Sequence, residues 1–497
     1  MKTITSILFV IVLVVLVAPG MAAASVYYVP DNYATMQAAI DAGVSGDTII
    51  VRDGIYKGAG NKDIDFKGKA LTLRSENGPA GCIIDCEASG RGFYFHSGET
   101  SASVLDGFTV INGFATEVSP DDNSGGAVKC VGNSSPTIEN CAFSGNSAYR
   151  GGAIACWFSS PSITYCYLSD NSADLDGGAI YCAQSLADVA DCVFYSNSAQ
   201  YGGGIHLTNY SYPTITNCIV SSNESDLDGG GIYCWYSSPA VANCTIAGNS
   251  ALDEGGGTAC YFSSPVVTDC ILWDDSSAHG AEIALVYISQ LTISYSDVEG
   301  GSSSVYSQPG SVLNWGSGNI NSNPLFAAGA LGTYYLSQTA AGQNANSPCM
   351  NAGSDTAVNV GMDSYTTRTD GVGDTGVVDM GYHYGLFVPS GLTQINLLSP
   401  ANQSVLSSAP TFTWTADGGA SSVYAVDLSY SANFSSYWST YNNMHQLIDQ
   451  TSWTMPASIW NKIPHGKLVY WKVRGADLDH TPLEVIYSVE VRSFNKQ

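Results

Sequence analysis

The sequence predicts an all-β protein in which a parallel β-helix with about 26 residues per coil precedes a β-sandwich domain. Three observations carry that expectation. Cysteines recur at 141, 166, 192, 218, 244 and 270, at intervals of 25 or 26 residues, and other columns keep the same period. Within each period, β-like runs alternate with polar turns and no run has helical spacing. From residue 395 onward the repeat gives way to evenly spaced alternating strands, the pattern of a sandwich.

The chain opens on Lys2, an apolar run from Ile7 to Ala18 and Ala22-Ala23-Ala24, the pattern of a signal peptide over residues 1–24 with cleavage before Ser25. Export to the cell surface or medium is the expected destination, and no later segment is long and apolar enough to span a membrane. Residues 25–385 are assigned to the β-helix. Met36, Ala39 and Ile40 share one helical face, so residues 33–42 are expected to form a helix capping the first coil, whose open edge would otherwise invite strand addition.

The regular repeats occupy residues 125–280. In one period, GGAIACW is a strand, SSP a turn, SITYCYL a longer strand run, and Asn-Ser a second turn. A second cysteine column runs 130, 156, 182, 234 and 260, with Leu207 in the missing place. In a solenoid such columns become ladders, and a leucine standing in for cysteine marks them as inward-facing small hydrophobes. Export permits disulfides between vertical neighbours, so thiol and disulfide both stay open. Cys82, Cys86 and Cys349 lie outside the ladders and are candidates for isolated bridges. Asn146, Asn171, Asn197, Asn223 and Asn249 form a column suited to satisfying buried backbone groups at a bend.

Charged residues are 12% of the chain, about half the usual share, and the net charge is −26. No Lys or Arg stands between Arg150 and Arg368. Such a surface repels nucleic acid, anionic lipid and polyuronates unless a metal ion bridges them. Neutral glycans, divalent cations and surface proteins remain as partners.

The motifs GGAV at 125, GGAI at 151 and 177, GGGI at 202 and 229, FSGN at 143 and FYSN at 194 resemble the GGA[ILV] and FxxN hallmarks of chlamydial polymorphic outer membrane protein repeats. More broadly, residues 26–385 resemble the right-handed parallel β-helices of the pectin-lyase-like superfamily. That resemblance implies the right hand of the coil and an exported, adhesin-like role. The membrane β-barrel ending those chlamydial proteins has no counterpart here, so outer-membrane autotransport is not implied. After a linker at 386–394, residues 395–497 resemble a fibronectin type III or immunoglobulin-like module. Its Trp414, Trp453 and Trp471 suit either core packing or a sugar-binding face.

Two acidic turns repeat the phrase DLDGG, at 174–178 and 226–230. Counting by the coil places Arg150, Asp176, Tyr201, Asp228 and Glu254 in one column, Arg150 and Asp176 as an ordinary surface ion pair. Carboxylates on adjacent coils would stand about 5 Å apart. Asp228 and Glu254, with oxygens from Asp226 and Asp253, offer a Ca²⁺ seat; a solvated acidic turn and a catalytic pair are the other readings. Asp274-Asp275 and His279-Gly280 match the DD and HG signatures of polygalacturonases in residue type, but within one short turn. Asp370, Asp374 and Asp379 resemble a calcium loop without its full spacing. A lyase needs a basic residue as proton acceptor, and Arg52, Lys57, Arg74 and Arg91 are the basic residues near coils. The expected function is a non-catalytic scaffold binding glycans or proteins; the alternative is a polysaccharide lyase or glycoside hydrolase.

Overall fold

A computed structural model describes residues 24–115, 123–385, 394–417, 422–432, 434, 437–440, 448, 450–477, 486–488 and 490–497. The expected signal peptide (save residue 24) and the linker (save residue 394) lie outside these residues.

The chain winds about eleven parallel β-coils of roughly 26 residues. Four parallel sheets line the solenoid. The first has twelve strands, from Val26–Val29 to Val312–Trp315, and the second ten, from Gly54–Tyr56 to Asp297–Val298. The third has nine, from Phe93–Phe95 to Tyr306–Ser307, and the fourth five, from Ser147–Arg150 to Ser250–Ala251. Registry keeps each column in step: Ile154, Ile180, Ile205 and Ile232 pair in succession, as do Cys156, Cys182, Leu207, Cys234 and Cys260. These columns, with Ile138, Ile163, Val189 and Ile215 of the first sheet, fill one continuous core.

The glycine pair of each repeat has two jobs. Gly177 takes φ +68°, a conformation costly for a residue with a Cβ. Gly178 lies so close to the next coil that a Cβ there would meet the carbonyl oxygen of Gly203 at 2.2 Å. Glycine at the second position is therefore dictated by coil-to-coil contact.

All fourteen cysteines are free and buried. In the longer ladder the thiols act as weak hydrogen-bonding groups: the Cys192 thiol donates to Ala190 O at 3.1 Å and accepts the Cys166 N–H at 3.4 Å. The isolated bridges expected for Cys82, Cys86 and Cys349 are not formed. Cys86 follows Cys82 by four steps of nearly extended chain, about 13 Å at ~3.3 Å per residue, well beyond disulfide reach. The Cys349 thiol instead donates to Asp297 Oδ2 at 3.1 Å.

At the bend before the fourth sheet the asparagine column is continuous and buried. The backbone N–H and the side-chain amide of each asparagine both donate to Oδ1 of the next, at 2.9–3.1 Å. From Asn146 onward the same amide also donates to a carbonyl of the preceding coil, those of Val110, Phe143, Leu168, Phe194 and Val220.

The first coil is covered by a helix at Met36–Ala42, N-capped by Thr35 Oγ1, with Met36, Ala39 and Ile40 fully buried. Beyond the last coil, residues 326–385 fold back along the outside of the second sheet. Tyr335, Leu336, Met380 and Tyr384 pack there on Ile219 and Ile271.

The described C-terminal residues form two sheets, antiparallel except where Ser404–Leu406 pairs with Arg492–Lys496 in parallel. One joins Gln394–Ser399, Thr411–Asp417 and Ser452–Thr454; the other is built on Ser422–Ser429 and Leu468–Asp477. Trp414, Trp453 and Trp471 are all buried in their shared core with Phe412 and Phe494, so no sugar-binding tryptophan face exists among them. Among the described residues, no helix is long and apolar enough to cross a membrane.

Candidate functional site

The inward positions of the third sheet join the core, but its outward positions are buried too. Tyr233, Ala259, Tyr261, Ala284 and Val286 form a second apolar cluster on the outer face, flanked by Tyr201 of the fourth sheet. A chain of ring contacts runs along this face from Trp157 through Tyr181, His206 and Tyr233 to Tyr261, with centroids 4.9–5.5 Å apart. The strand alternation that sends Ile180 and Cys182 inward sends Tyr181 outward.

Beside this face runs the charged column. Arg150 pairs with Asp176, Asp176 with Tyr201 and Tyr201 with Asp228, while Glu254 bridges to His279. Arg150 and Asp176 are more than the surface pair expected: Nε lies 2.6 Å from Oδ2 with both side chains mostly covered. His206 Nδ1 is 3.0 Å from the other Asp176 oxygen, close but not aligned as a hydrogen bond. Burial pushes the Asp176 carboxyl up, yet His206 and Arg150 outweigh it and hold it below the ordinary value.

Asp228 and Glu254 meet at Tyr261. Its hydroxyl lies 3.0 Å from Asp228 Oδ2 and also contacts Glu254 Oε2. Asp228 Oδ1 accepts the Glu254 backbone N–H at 3.1 Å, and Glu254 Oε1 accepts Gln308 Nε2 at 3.2 Å. Burial, then the neighbouring Glu254, raises the Asp228 carboxyl to about 6 despite the Tyr261 hydrogen bond. A phenol carries one hydrogen, so both Tyr261 contacts are hydrogen bonds only when one carboxyl is protonated and donates to Oη. Asp228 is the group pushed toward that state.

The other two residues of the expected Ca²⁺ set stand apart. Asp226 and Asp253 are exposed, and Asp253 turns to His279 Nδ1 at 3.2 Å. Among the described residues, no group of three or more His, Cys, Asp or Glu side chains is arranged to hold a metal ion. In the second acidic patch Asp374 Oδ2 accepts the Asp379 N–H at 2.9 Å, and each carboxylate has protein partners. Asp370 pairs with Arg368, Asp374 accepts His383 Nε2 at 3.0 Å, and Asp379 accepts the Asn351 N–H at 2.6 Å.

The DD and HG residues do not converge either: Asp275 is buried, while Asp274 and His279 face solvent. The basic residues near the first coils are occupied. Arg52 pairs with Asp31 and Glu76, Lys57 with Asp85, Arg74 donates to Ser75 O, and Arg91 lies over the Tyr94 ring.

A row of rings, Tyr236 and Tyr287 exposed and Phe262 half-buried between them, follows the third sheet at its turn. Tyr236, Phe262 and Tyr287 stack at 4.5 and 5.2 Å with planes within 7° of parallel. Such stacking stabilises the turns by about 0.5–1.5 kcal/mol per pair.

Sequence reasoning missed Tyr261, Gln308 and His206. Tyr261 was within reach, since it shares a column with Trp235 and follows Glu254 by one glycine-rich turn. Gln308 belongs to no repeat.

Residues 186–324 match the family model described as the right handed beta helix region, and residues 165–183 match the Chlamydia polymorphic membrane protein repeat. No curated protein matches. Among solved structures, pectate lyase Pel9A is 13% identical over 73% of this chain and 98% of its own, with a TM-score of 0.34. The enzymatically active domain of bacteriophage CBA120 tailspike protein 2 is 10% identical over 93% of this chain and 73% of its own, at 0.26. Strand order and registry make the solenoid a parallel β-helix, and the family match over residues 186–324 supports its right hand, with residues 165–183 similar to a Chlamydia polymorphic membrane protein repeat.

Proposed function

We propose that the protein is a secreted or cell-surface β-helix scaffold with a binding or adhesive role toward glycans or surface proteins and no catalytic one. Its final hundred residues serve as a fibronectin type III or immunoglobulin-like spacer. The apolar leader and the likeness of the repeats to those of a membrane-protein family support export. One observation carries the non-catalytic reading: the acids beside the aromatic face are closed by protein partners, Asp176 by Arg150 and both Asp228 and Glu254 by Tyr261. Arg150 is itself tied to Asp176, and residues 151–367 hold no Lys or Arg to serve Asp228 and Glu254 as a lyase's base or clamp.

A second reading rests on Asp228, whose carboxyl sits near 6 beside a second acid, the division of labour a glycoside hydrolase uses. Incubating the mature protein with a polysaccharide panel, with and without Ca²⁺, separates the two. Retention on one or more glycans or surface proteins without new reducing or unsaturated ends is expected. Release of such ends, abolished in Asp228→Asn, would replace the scaffold with the enzyme. A Ca²⁺-dependent rise in melting temperature that disappears in Asp228→Ala/Glu254→Ala would establish the cation seat.

A further inference from the structure

The asparagine ladder does not end on an asparagine. One coil beyond Asn249 the column holds Asp275, 7% exposed, and next to it stands Glu282, 2% exposed. Asp275 Oδ1 accepts the Asn249 backbone N–H at 2.6 Å and its side-chain amide at 2.9 Å, the bonds every lower rung makes to the next. The Asp275 backbone N–H in turn donates to Glu282 Oε1 at 3.2 Å, so Glu282 acts as one rung more. The remaining oxygens, Asp275 Oδ2 and Glu282 Oε2, are buried with no hydrogen-bond partner.

In each lower rung the second atom of the side chain is an NH₂ that donates to the following rung. An ionised Asp275 has only lone pairs there, directed at a second carboxylate. Two buried carboxylates in contact cannot both stay ionised. We propose that Asp275 and Glu282 hold a single shared proton at neutral pH, and that this proton makes the last rung of the ladder, locking the coil that contains residues 249–282. Protonated Asp275 then does what asparagine does: Oδ1 accepts and Oδ2–H donates to Glu282.

The surroundings favour the proton. Burial first, then Glu282, pushes the Asp275 carboxyl well above its ordinary value, and burial pushes Glu282 to about 7 with Glu299 and Asp274 adding to it. Tyr334, from the returning segment, is the other titratable group near Asp275. No cation faces the pair from 151–367. Because the folded pair binds its proton more tightly than the unfolded chain, its stability is complete below about pH 4 and is lost as pH rises through 7 and beyond.

The test compares melting temperatures of the full chain, Asp275→Asn and Glu282→Gln at pH 5, 7 and 9. Asp275→Asn completes the ladder with a permanent donor, and Glu282→Gln supplies one to Asp275, so either folds without the proton. Parent protein should lose several degrees between pH 5 and 9, with the loss clearly smaller in both variants. Amide exchange across 245–256, read at pH 9, should be faster in the parent than in Asp275→Asn. Equal pH slopes in parent and both variants would overturn the proposal. So would a Ca²⁺-induced rise at pH 9 seen in the parent and absent from the variants, since a cation would then be the missing partner.

Discussion

Asp228 and Tyr261 are held 3.0 Å apart across a coil boundary, with the same hydroxyl touching Glu254. Burial, outweighing the pull of that bond, makes Asp228 a titrating group within the physiological range. Its carboxyl is raised from 3.8 to about 6, so the folded state binds the proton more tightly. The associated stability is full below about pH 4 and is lost as pH rises through 6. Asp228→Asn mimics the protonated acid and is expected to melt higher than the parent at pH 7.5, with the gap closing at pH 4.5.

Tyr261→Phe removes the hydroxyl and leaves two neighbouring buried acids without their bridge. Loss of a buried hydrogen-bonding partner costs about 1–3 kcal/mol, and urea denaturation at pH 7.5 should show it. Because the lost bond is to charged groups, the deficit should shrink at pH 4.5.

The ladder asparagines are expected to be far less replaceable than their polarity implies. Asn197 is fully buried, accepts two bonds from Asn171 and donates to Leu168 O and Asn223 Oδ1. Asn197→Ala strands at least two buried backbone groups, at about 1–3 kcal/mol each. A fall of about 3 kcal/mol in unfolding free energy is the expected reading.

Gly178→Ala should prevent folding of the repeat region, because the added methyl meets backbone oxygen of the next coil. Absence of soluble, β-rich protein by circular dichroism is the expected outcome.

The thiols should be silent. Burial pushes Cys244 and Cys270 well above the ordinary thiol value, and Cys82 up to about 12. A thiol reagent is expected to label none in the native protein and all fourteen in denaturant.

The solenoid was legible because a coil writes the same demand once per turn, so Cys141 to Cys270 and Asn146 to Asn249 announce their own stacking. The acid column was legible for the same reason, down to Asp228 beside Glu254. Asp275 is hidden in the sequence by its neighbour. Grouped with Asp274 it resembles an enzyme motif; counted one coil on from Asn249 it is the sixth rung of the ladder. The partners from outside the period were invisible. Gln308 reaches Glu254 across 54 residues from the irregular last coil, and Tyr365 reaches Asp191 across 174 from the chain folding back, and nothing periodic signals either contact.

That returning segment alters how the solenoid resists force. Tyr365 bonds to Asp191, His383 to Asn217, Tyr382 to Thr245, Ser354 to Asp269 and Cys349 to Asp297, touching five successive coils. A stack coupled only between neighbours can peel one coil at a time. Here, pulling one of those coils loads a splint shared by the other four. Under tension the region from 191 to 297 should therefore yield as a single event at one force, while the coils before it come away in smaller steps.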